Sequence, residues 1–185
     1  MSAFARWAGL TETTRVLDVG GSALNWDLSP VVPDVTLLNL KPGKSKYREV
    51  VGDGIRLPFP SGTFDLVFSN SVIEHVQDPE AFAAELQRVG CRYFVQTPNR
   101  RFPFEPHLLA PCVNYLPKRW QARLGRNFTP WGWITRPSAV EVRRFVAQTT
   151  LLDREGMKRI FPRGEVIGRR SLIARGQSAI QVSGY

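Results

Sequence analysis

Short apolar runs alternate with helical patterns along most of this chain of 185 residues. A helix is well marked between the fourth and fifth runs, because Asp78 can cap it, Pro79 suits its first turn and Gly90 can end it. Strands that alternate with helices are typical of a parallel sheet covered by helices. The predicted strands are Arg15 to Val19, Val35 to Leu40, Arg48 to Val51, Phe64 to Ser69 and Arg92 to Thr97.

The carboxyl-terminal part continues this pattern. Ser138 and Glu141 form a capping box before one helix, and Asp153 can cap a shorter one. Two further strands are predicted near Glu165 to Arg169 and Leu172 to Arg175. The whole pattern predicts an α/β fold, with a doubly wound, mostly parallel sheet of about seven strands and helices on both faces.

One segment, residues 99–136, interrupts the alternation and is rich in proline and aromatic residues. A chain of this length is expected to form a single domain, residues 1–185. Long insertions in such domains are often lids or binding loops, and this one follows the fifth strand at the edge where ligands bind. We therefore expect a lid or an acceptor-binding insert, with a small satellite core as the alternative.

The charge of the chain is asymmetric. The net charge is +9, and residues 99–150 hold nine basic residues against Glu105 and Glu141. Such a surface favours an anionic ligand, although scattered basic residues also serve solubility alone. The sequence lacks an apolar run long enough to cross a bilayer and a secretion signal, so a cytoplasmic protein without a transmembrane segment is expected.

The most specific motif follows the first strand, where an apolar run ends in Asp18 and continues with Gly20, Gly21 and Ser22. Glycines let the backbone turn tightly and approach a ligand. Nicotinamide-binding enzymes also carry a glycine-rich turn here, so this motif alone leaves the cofactor open. Two later segments narrow the choice: residues 51–55 after the third strand, and residues 64–76 over the fourth.

Together, residues 14–98 resemble the class I S-adenosylmethionine-dependent methyltransferases, in their small-molecule branch. The resemblance implies a Rossmann-like fold with S-adenosylmethionine as cofactor. It also implies that the turn after the first strand binds the methionine part of the cofactor and that the end of the second strand binds the ribose. The turn after the third strand then binds the adenine, and the fourth strand lies beside the methyl group. By match, the cofactor-binding residues are Asp18, Gly20, Gly21, Asn39, Leu40, Asp53, Gly54, Ile55 and Asn70.

Two residues depart from the family pattern. Ser22 replaces a glycine, which is tolerable where the backbone does not need a positive φ. Asn39 replaces the ribose-binding carboxylate, and an amide lacks the charge-assisted strength of a carboxylate. A non-catalytic cofactor-binding regulator or partner subunit is therefore one alternative to an enzyme.

The predicted reaction is direct methyl transfer to a small-molecule, glycan or lipid-linked acceptor, held in line with the sulfonium. The candidate bases for the acceptor's proton are the two histidines, His75 and His107. With so few histidines and cysteines, no metal site is predicted. A nucleic-acid methyltransferase is a further alternative suggested by the basic insert, but the residues after the fourth strand, Asn70 to Val72, lack the motif of amino-directed enzymes of that class.

Overall fold

The computed structural model describes residues 1–105 and 107–178. The helices are α1 Ser2–Ala8, α2 Ala23–Asp27, α3 Pro79–Val89, α4 Lys118–Asn127, α5 Pro130–Thr135, α6 Ala139–Gln148 and α7 Arg154–Ile160. The strands are β1 Arg15–Val19, β2 Asp34–Asn39, β3 Arg48–Val51, β4 Leu66–Asn70, β5 Arg92–Pro98, β6 Phe104–Glu105, β7 Ala110–Pro111, β8 Glu165–Ile167 and β9 Ser171–Gln177.

Seven strands form one sheet in the order β3-β2-β1-β4-β5-β9-β8. Strands β1 to β5 pair in parallel, whereas β9 runs antiparallel to both β5 and β8. The chain builds outward from β1 to β3 and then returns to β4 on the other side of β1. This reversal of strand order is the place where open α/β sheets bind their ligands, and the predicted fold class is confirmed.

The two faces of the sheet bury separate cores. On one face Phe82 and Leu86 of α3 pack with Met157 of α7 against the sheet. On the other face Phe4 of α1 and Trp26 of α2 pack with the aromatic side chains of β4 and β5. The prediction of helices on both faces is therefore confirmed, although the sequence pattern gave no sign of α1.

Helix boundaries follow the capping residues read from the sequence. Asp78 accepts a hydrogen bond from the backbone N–H of Ala81 at the start of α3. Ser138 and Glu141 form the expected capping box on α6, and Asp153 accepts from the N–H of Gly156 on α7. Each side chain satisfies a backbone donor that the first turn of a helix leaves free.

The insert, residues 99–136, contains more regular structure than its sequence indicates. A two-stranded hairpin of β6 and β7 precedes α4, and α5 follows. Leu108, Ala110 and Val113 form a small core with Trp131 and with Phe145 of α6. The alternative of a satellite core thus describes part of the insert, while Phe128 and Trp133 stay exposed. Within the described residues, none of the helices is long and apolar enough to cross a membrane.

Candidate functional site

The turn after β1 has a geometry that only glycine fits. Gly20 has a φ of +76°, and a Cβ atom there would lie 2.4 Å from Cγ2 of Val72. At Gly21, a Cβ atom would lie 1.8 Å from Oδ2 of Asp18. Both positions therefore exclude larger residues, which keeps the backbone of this turn open to a ligand.

Asp18 is fully buried next to this turn. Its Oδ2 accepts a hydrogen bond of 2.8 Å from Nε1 of Trp26, and Oδ1 has no partner among the described residues. Burial raises the pKa of Asp18 to about 7, and the Trp26 hydrogen bond offsets only part of that effect. The carboxyl group is consequently a polar group with one unsatisfied oxygen inside the protein.

Both departures from the family pattern have a local role in the structure. Ser22 has a φ of −130° and occupies the N-cap of α2, so this position does not need glycine. Asn39 donates a hydrogen bond of 3.1 Å from Nδ2 to the carbonyl oxygen of Gly21. A carboxylate cannot donate such a bond, so the amide holds the glycine turn while its Oδ1 remains an acceptor.

Asp53 lies in the turn after β3, at the same edge of the sheet. Its Oδ1 accepts a hydrogen bond of 3.1 Å from the N–H of Ile55, which fixes the carboxylate at the mouth of a cleft. A Cβ atom on Gly54 would lie 2.5 Å from the Phe82 ring. The close packing of this turn on α3 therefore also requires glycine.

A cleft of about 580 Å³ runs along the carboxyl ends of β1, β2 and β4. The predicted residues that line it are Gly20, Asn39, Leu40, Asp53, Gly54 and His75. Its wall also contains residues that the sequence analysis did not select, including Lys41, Ser71, Val72 and Phe82. Ser71 has a φ of +57°, uncommon for a residue other than glycine, directly after β4.

Four predicted cofactor residues do not line this cleft. Asp18 accepts a hydrogen bond from Trp26, and the carbonyl oxygen of Gly21 accepts one from Asn39. Ile55 contributes its backbone N–H to Asp53, and Asn70 accepts a hydrogen bond of 3.3 Å from Ser71. These residues lie next to the residues that line the cleft. Any effect that they have on ligand binding is therefore indirect, through the position of the lining residues.

The two predicted catalytic histidines meet at one end of the cleft. His75 belongs to a 3-10 turn after β4, His107 comes from the insert, and their ring centroids are 5.1 Å apart. Of the two, only His75 lines the cleft. The two imidazoles therefore lie close together, one on the wall of the cleft and the other in the insert.

The surroundings of the two imidazoles differ. Burial lowers the pKa of His75, and the neighbouring His107 lowers it further. Burial also acts to lower the pKa of His107, but a 2.8 Å hydrogen bond to Glu105 and the charge of Glu74 outweigh it, so this pKa is raised. Of the two imidazoles, that of His75 is therefore the one that stays neutral near neutral pH and can accept a proton.

A second cavity, of about 320 Å³, lies on the insert side of these histidines. Its wall includes Arg100, Glu105, Lys118, Phe145 and Thr149. The ammonium of Lys118 donates to the carbonyl oxygens of Val146 and Thr149, at the end of α6. Because the ammonium of Lys118 binds the end of the helix, Arg100 is the basic residue of this wall that could bind a ligand.

Arg101 does not belong to this wall. Its guanidinium lies 3.4 Å from Asp153 and 3.2 Å from Glu155, the N-cap and the first turn of α7. The basic residues of the insert are therefore divided between the cavity and other contacts. The total charge of the segment overstates the charge that a ligand would meet.

Comparison with known proteins agrees with this arrangement. Residues 8–92 match the family described as "Methyltransferase domain". The matched residues are similar to methyltransferase domains. A structure titled as a SAM-dependent methyltransferase from Aquifex aeolicus shares the fold, with a TM-score of 0.54 at 14% identity over 94% of this chain and 87% of the other.

Curated methyltransferases align with parts of the chain. An ajmaline N-methyltransferase from Rauvolfia serpentina is 50% identical over 47 residues, which is 25% of this chain and 16% of the relative. A protein described as "Probable tocopherol O-methyltransferase, chloroplastic" from Oryza sativa subsp. japonica is 27% identical over 140 residues, 73% of this chain and 37% of the relative. The chain thus spans well under half the length of these two relatives.

Proposed function

We propose that the protein transfers a methyl group from S-adenosylmethionine to a small-molecule acceptor. The observation that carries this proposal is the cleft itself, because one groove is lined by the glycine turn, Asn39, Asp53 and His75. These groups follow successive parallel strands at the reversal of strand order. When bound, the cofactor supplies a methyl group on a positively charged sulfur, which an electron pair of the acceptor can displace.

The residues of the cleft fit the parts of that cofactor. The open turn at Gly20 suits the methionine part, and the unsatisfied carboxyl oxygen of Asp18 behind it favours a nearby cation. The free Oδ1 of Asn39 can accept a hydrogen bond from a ribose hydroxyl. Asp53 at the cleft mouth can accept one from the adenine amino group.

The acceptor is proposed to enter from the insert side, next to the two histidines. The cavity there has an exposed Arg100 on its wall, which favours an anionic acceptor. His75 lines the cofactor cleft, and its ring centroid lies 5.1 Å from that of His107 in the insert; a hydroxyl acceptor bound there would have to lose a proton. We propose His75 as the first candidate for that task and His107 as the second.

Calorimetry with S-adenosylmethionine and S-adenosylhomocysteine tests the cofactor proposal. Removing a carboxylate that accepts a hydrogen bond costs about 1.5–3 kcal/mol, so Asp53→Ala should weaken binding by about tenfold to a hundredfold. Asp34→Ala is the matched control, because Asp34 is an exposed aspartate at the opposite end of β2. NADH should not compete, and a folded protein that binds neither compound would overturn the proposal.

The histidine roles are tested once a methylated product has been identified by mass spectrometry. Loss of a positioned base typically costs about a hundredfold in rate. At least one of His75→Ala and His107→Ala should lower kcat by that order while the cofactor Kd stays unchanged. Near-normal kcat in both variants would instead mean that the enzyme acts through positioning alone.

A further inference from the structure

We propose that Glu74, His75 and His107 form a binding site for a divalent transition-metal ion. Each residue offers one ligand atom, and these atoms all lie within 4.8 Å of one another. Zinc binds imidazole nitrogen and carboxylate oxygen at about 2.0–2.2 Å, which places its ligand atoms about 3–3.6 Å apart. Side-chain shifts of about 1 Å would therefore complete the site, and this ligand set suits zinc, iron, cobalt or nickel.

Glu74 supplies the first indication of a cation site. Its side chain is fully buried, and Oε2 accepts a hydrogen bond of 2.9 Å from the hydroxyl of Thr97. Oε1 has no hydrogen-bond partner among the described residues and lies 3.7 Å from Nε2 of His107. A buried carboxylate oxygen without a partner is costly, and a cation between it and the imidazoles would offset that cost.

His107 is oriented as a metal ligand. Its Nδ1 donates to Oε1 of Glu105 at 2.8 Å, and the second oxygen of Glu105 accepts from the backbone N–H of Leu108. This pairing leaves Nε2 of His107 with its lone pair toward Glu74. A carboxylate that holds the far nitrogen of an imidazole is the usual arrangement behind metal-binding histidines.

His75 presents its own Nε2 in the same way. The hydroxyl of Thr149 donates to the carbonyl oxygen of Phe145 at 2.9 Å, so its oxygen can accept from Nδ1 of His75, 3.4 Å away. Nε2 of His75 then also carries a lone pair. Two imidazoles and a carboxylate, each held from behind by another residue, constitute a prepared set of three ligands.

Three protein ligands leave coordination positions for water or for an acceptor oxygen. The site borders both the cofactor cleft, through His75, and the insert-side cavity, through Glu105 and Thr149. A bound ion would therefore hold an oxygen-containing acceptor, and that role rests on the proposed methyl transfer. Binding of the ion itself does not rest on it.

The test is a titration of the purified full chain with Co²⁺, followed by visible absorption, and with Zn²⁺, followed by calorimetry. We expect saturable binding of one ion. Glu74→Gln and His107→Ala should weaken it by a hundredfold or more, and Glu105→Gln by about tenfold to a hundredfold as an outer residue that orients a ligand. Glu155→Gln, an exposed carboxylate, and Cys112→Ser, an exposed thiol, should leave it unchanged.

Nuclear magnetic resonance identifies the ligands without any substitution. The chain has two histidines, so paramagnetic Co²⁺ should broaden both pairs of imidazole signals together. This measurement decides the matter even where a variant fails to fold. Absence of saturable binding by the folded wild type, binding that survives His75→Ala with His107→Ala, or loss of binding in Cys112→Ser would overturn the site.

Calorimetry of S-adenosylhomocysteine on the same preparations separates this proposal from the proposed function. If the homocysteine compound binds and the metal does not, the metal site alone is wrong. If the metal binds and the homocysteine compound does not, the methyl-transfer proposal fails and the metal site stands.

Discussion

The buried carboxyl group of Asp18 should make the stability of the protein depend on pH. Its folded-state pKa of about 7 lies above the ordinary value of 3.8, so the folded protein holds the proton more tightly than the unfolded chain does. The contribution of protonated Asp18 to the stability of the folded protein is complete below pH 4, and it is lost as the pH rises through 7. Asp18→Asn removes this titration while keeping an oxygen that can accept from Trp26.

The size of the effect follows from the pKa difference. Each tenfold change in proton affinity corresponds to about 1.4 kcal/mol, so a pKa raised to about 7 represents at most about 4 kcal/mol. The asparagine also places an N–H where Asp18 has an unpartnered oxygen, which costs about 1–3 kcal/mol at every pH. The quantity to measure is therefore how the difference in the free energy of unfolding between Asp18→Asn and wild type changes with pH. The part of that difference that is constant with pH does not test the reasoning.

Urea unfolding at several pH values between 4 and 8 provides that quantity. We expect the free energy of unfolding of Asp18→Asn, relative to wild type, to rise with pH by up to about 4 kcal/mol. Asp65→Asn is a control that should show no trend in this range, because the hydrogen bond from Arg15 lowers the pKa of Asp65 from its ordinary 3.8 and its stabilisation is lost only in stronger acid. A difference for Asp18→Asn that is independent of pH, or that falls as pH rises, would refute the reasoning.

Three other changes test single contacts at the site. Gly20→Ala should lower the free energy of unfolding by about 1–2 kcal/mol because of the positive φ alone, and the new methyl group would also crowd Val72. The same change should weaken S-adenosylhomocysteine binding in calorimetry, and unchanged binding would contradict the interpretation of this turn as open to the ligand. Asn39→Asp removes the donor to Gly21, so the thermal midpoint should fall by about 2–4 °C for a loss of about 1 kcal/mol, and an unchanged midpoint would count against that hydrogen bond. Arg100→Ala should raise the KM for an anionic acceptor more than Arg101→Ala does, because only Arg100 lines the insert-side cavity, and equal effects in steady-state kinetics would contradict this assignment.

Local signals account for the elements that could be predicted from the sequence. Strands β1 and β3 have the predicted bounds, and α3 begins and ends where Asp78 and Gly90 indicate. Parallel strands place their carboxyl ends at one edge, so residues after β1, β2 and β3 could be assigned to one site before any coordinates were known. The proposed cofactor-binding residues could be grouped from the sequence because they lie at or just after the carboxyl ends of their strands.

Other features depend on contacts between distant segments, which no local pattern reveals. Helix α1 is short, and its burial against β4 and β5 comes from Phe4 packing on aromatic residues far along the chain. The cluster around the histidines joins Glu74, Glu105 and Thr149 from three separate segments. A count of histidines carries no information about which carboxylates lie beside them, so it could not reveal this cluster.

The departures at Ser22 and Asn39 bear on whether the domain is an enzyme or a cofactor-binding regulator. A domain that has lost catalysis would be expected to lose the groups around the acceptor as well, because nothing then maintains them. In this protein Ser22 begins α2 and Asn39 holds the carbonyl of Gly21, so each substitution fits a specific local contact. The proposed acceptor side holds two imidazoles next to the buried carboxyl group of Glu74, with Glu105 beside one imidazole and Thr149 beside the other. Burying such a polar cluster is unfavourable, and clusters of this kind are often functional sites. An enzyme is therefore the better interpretation.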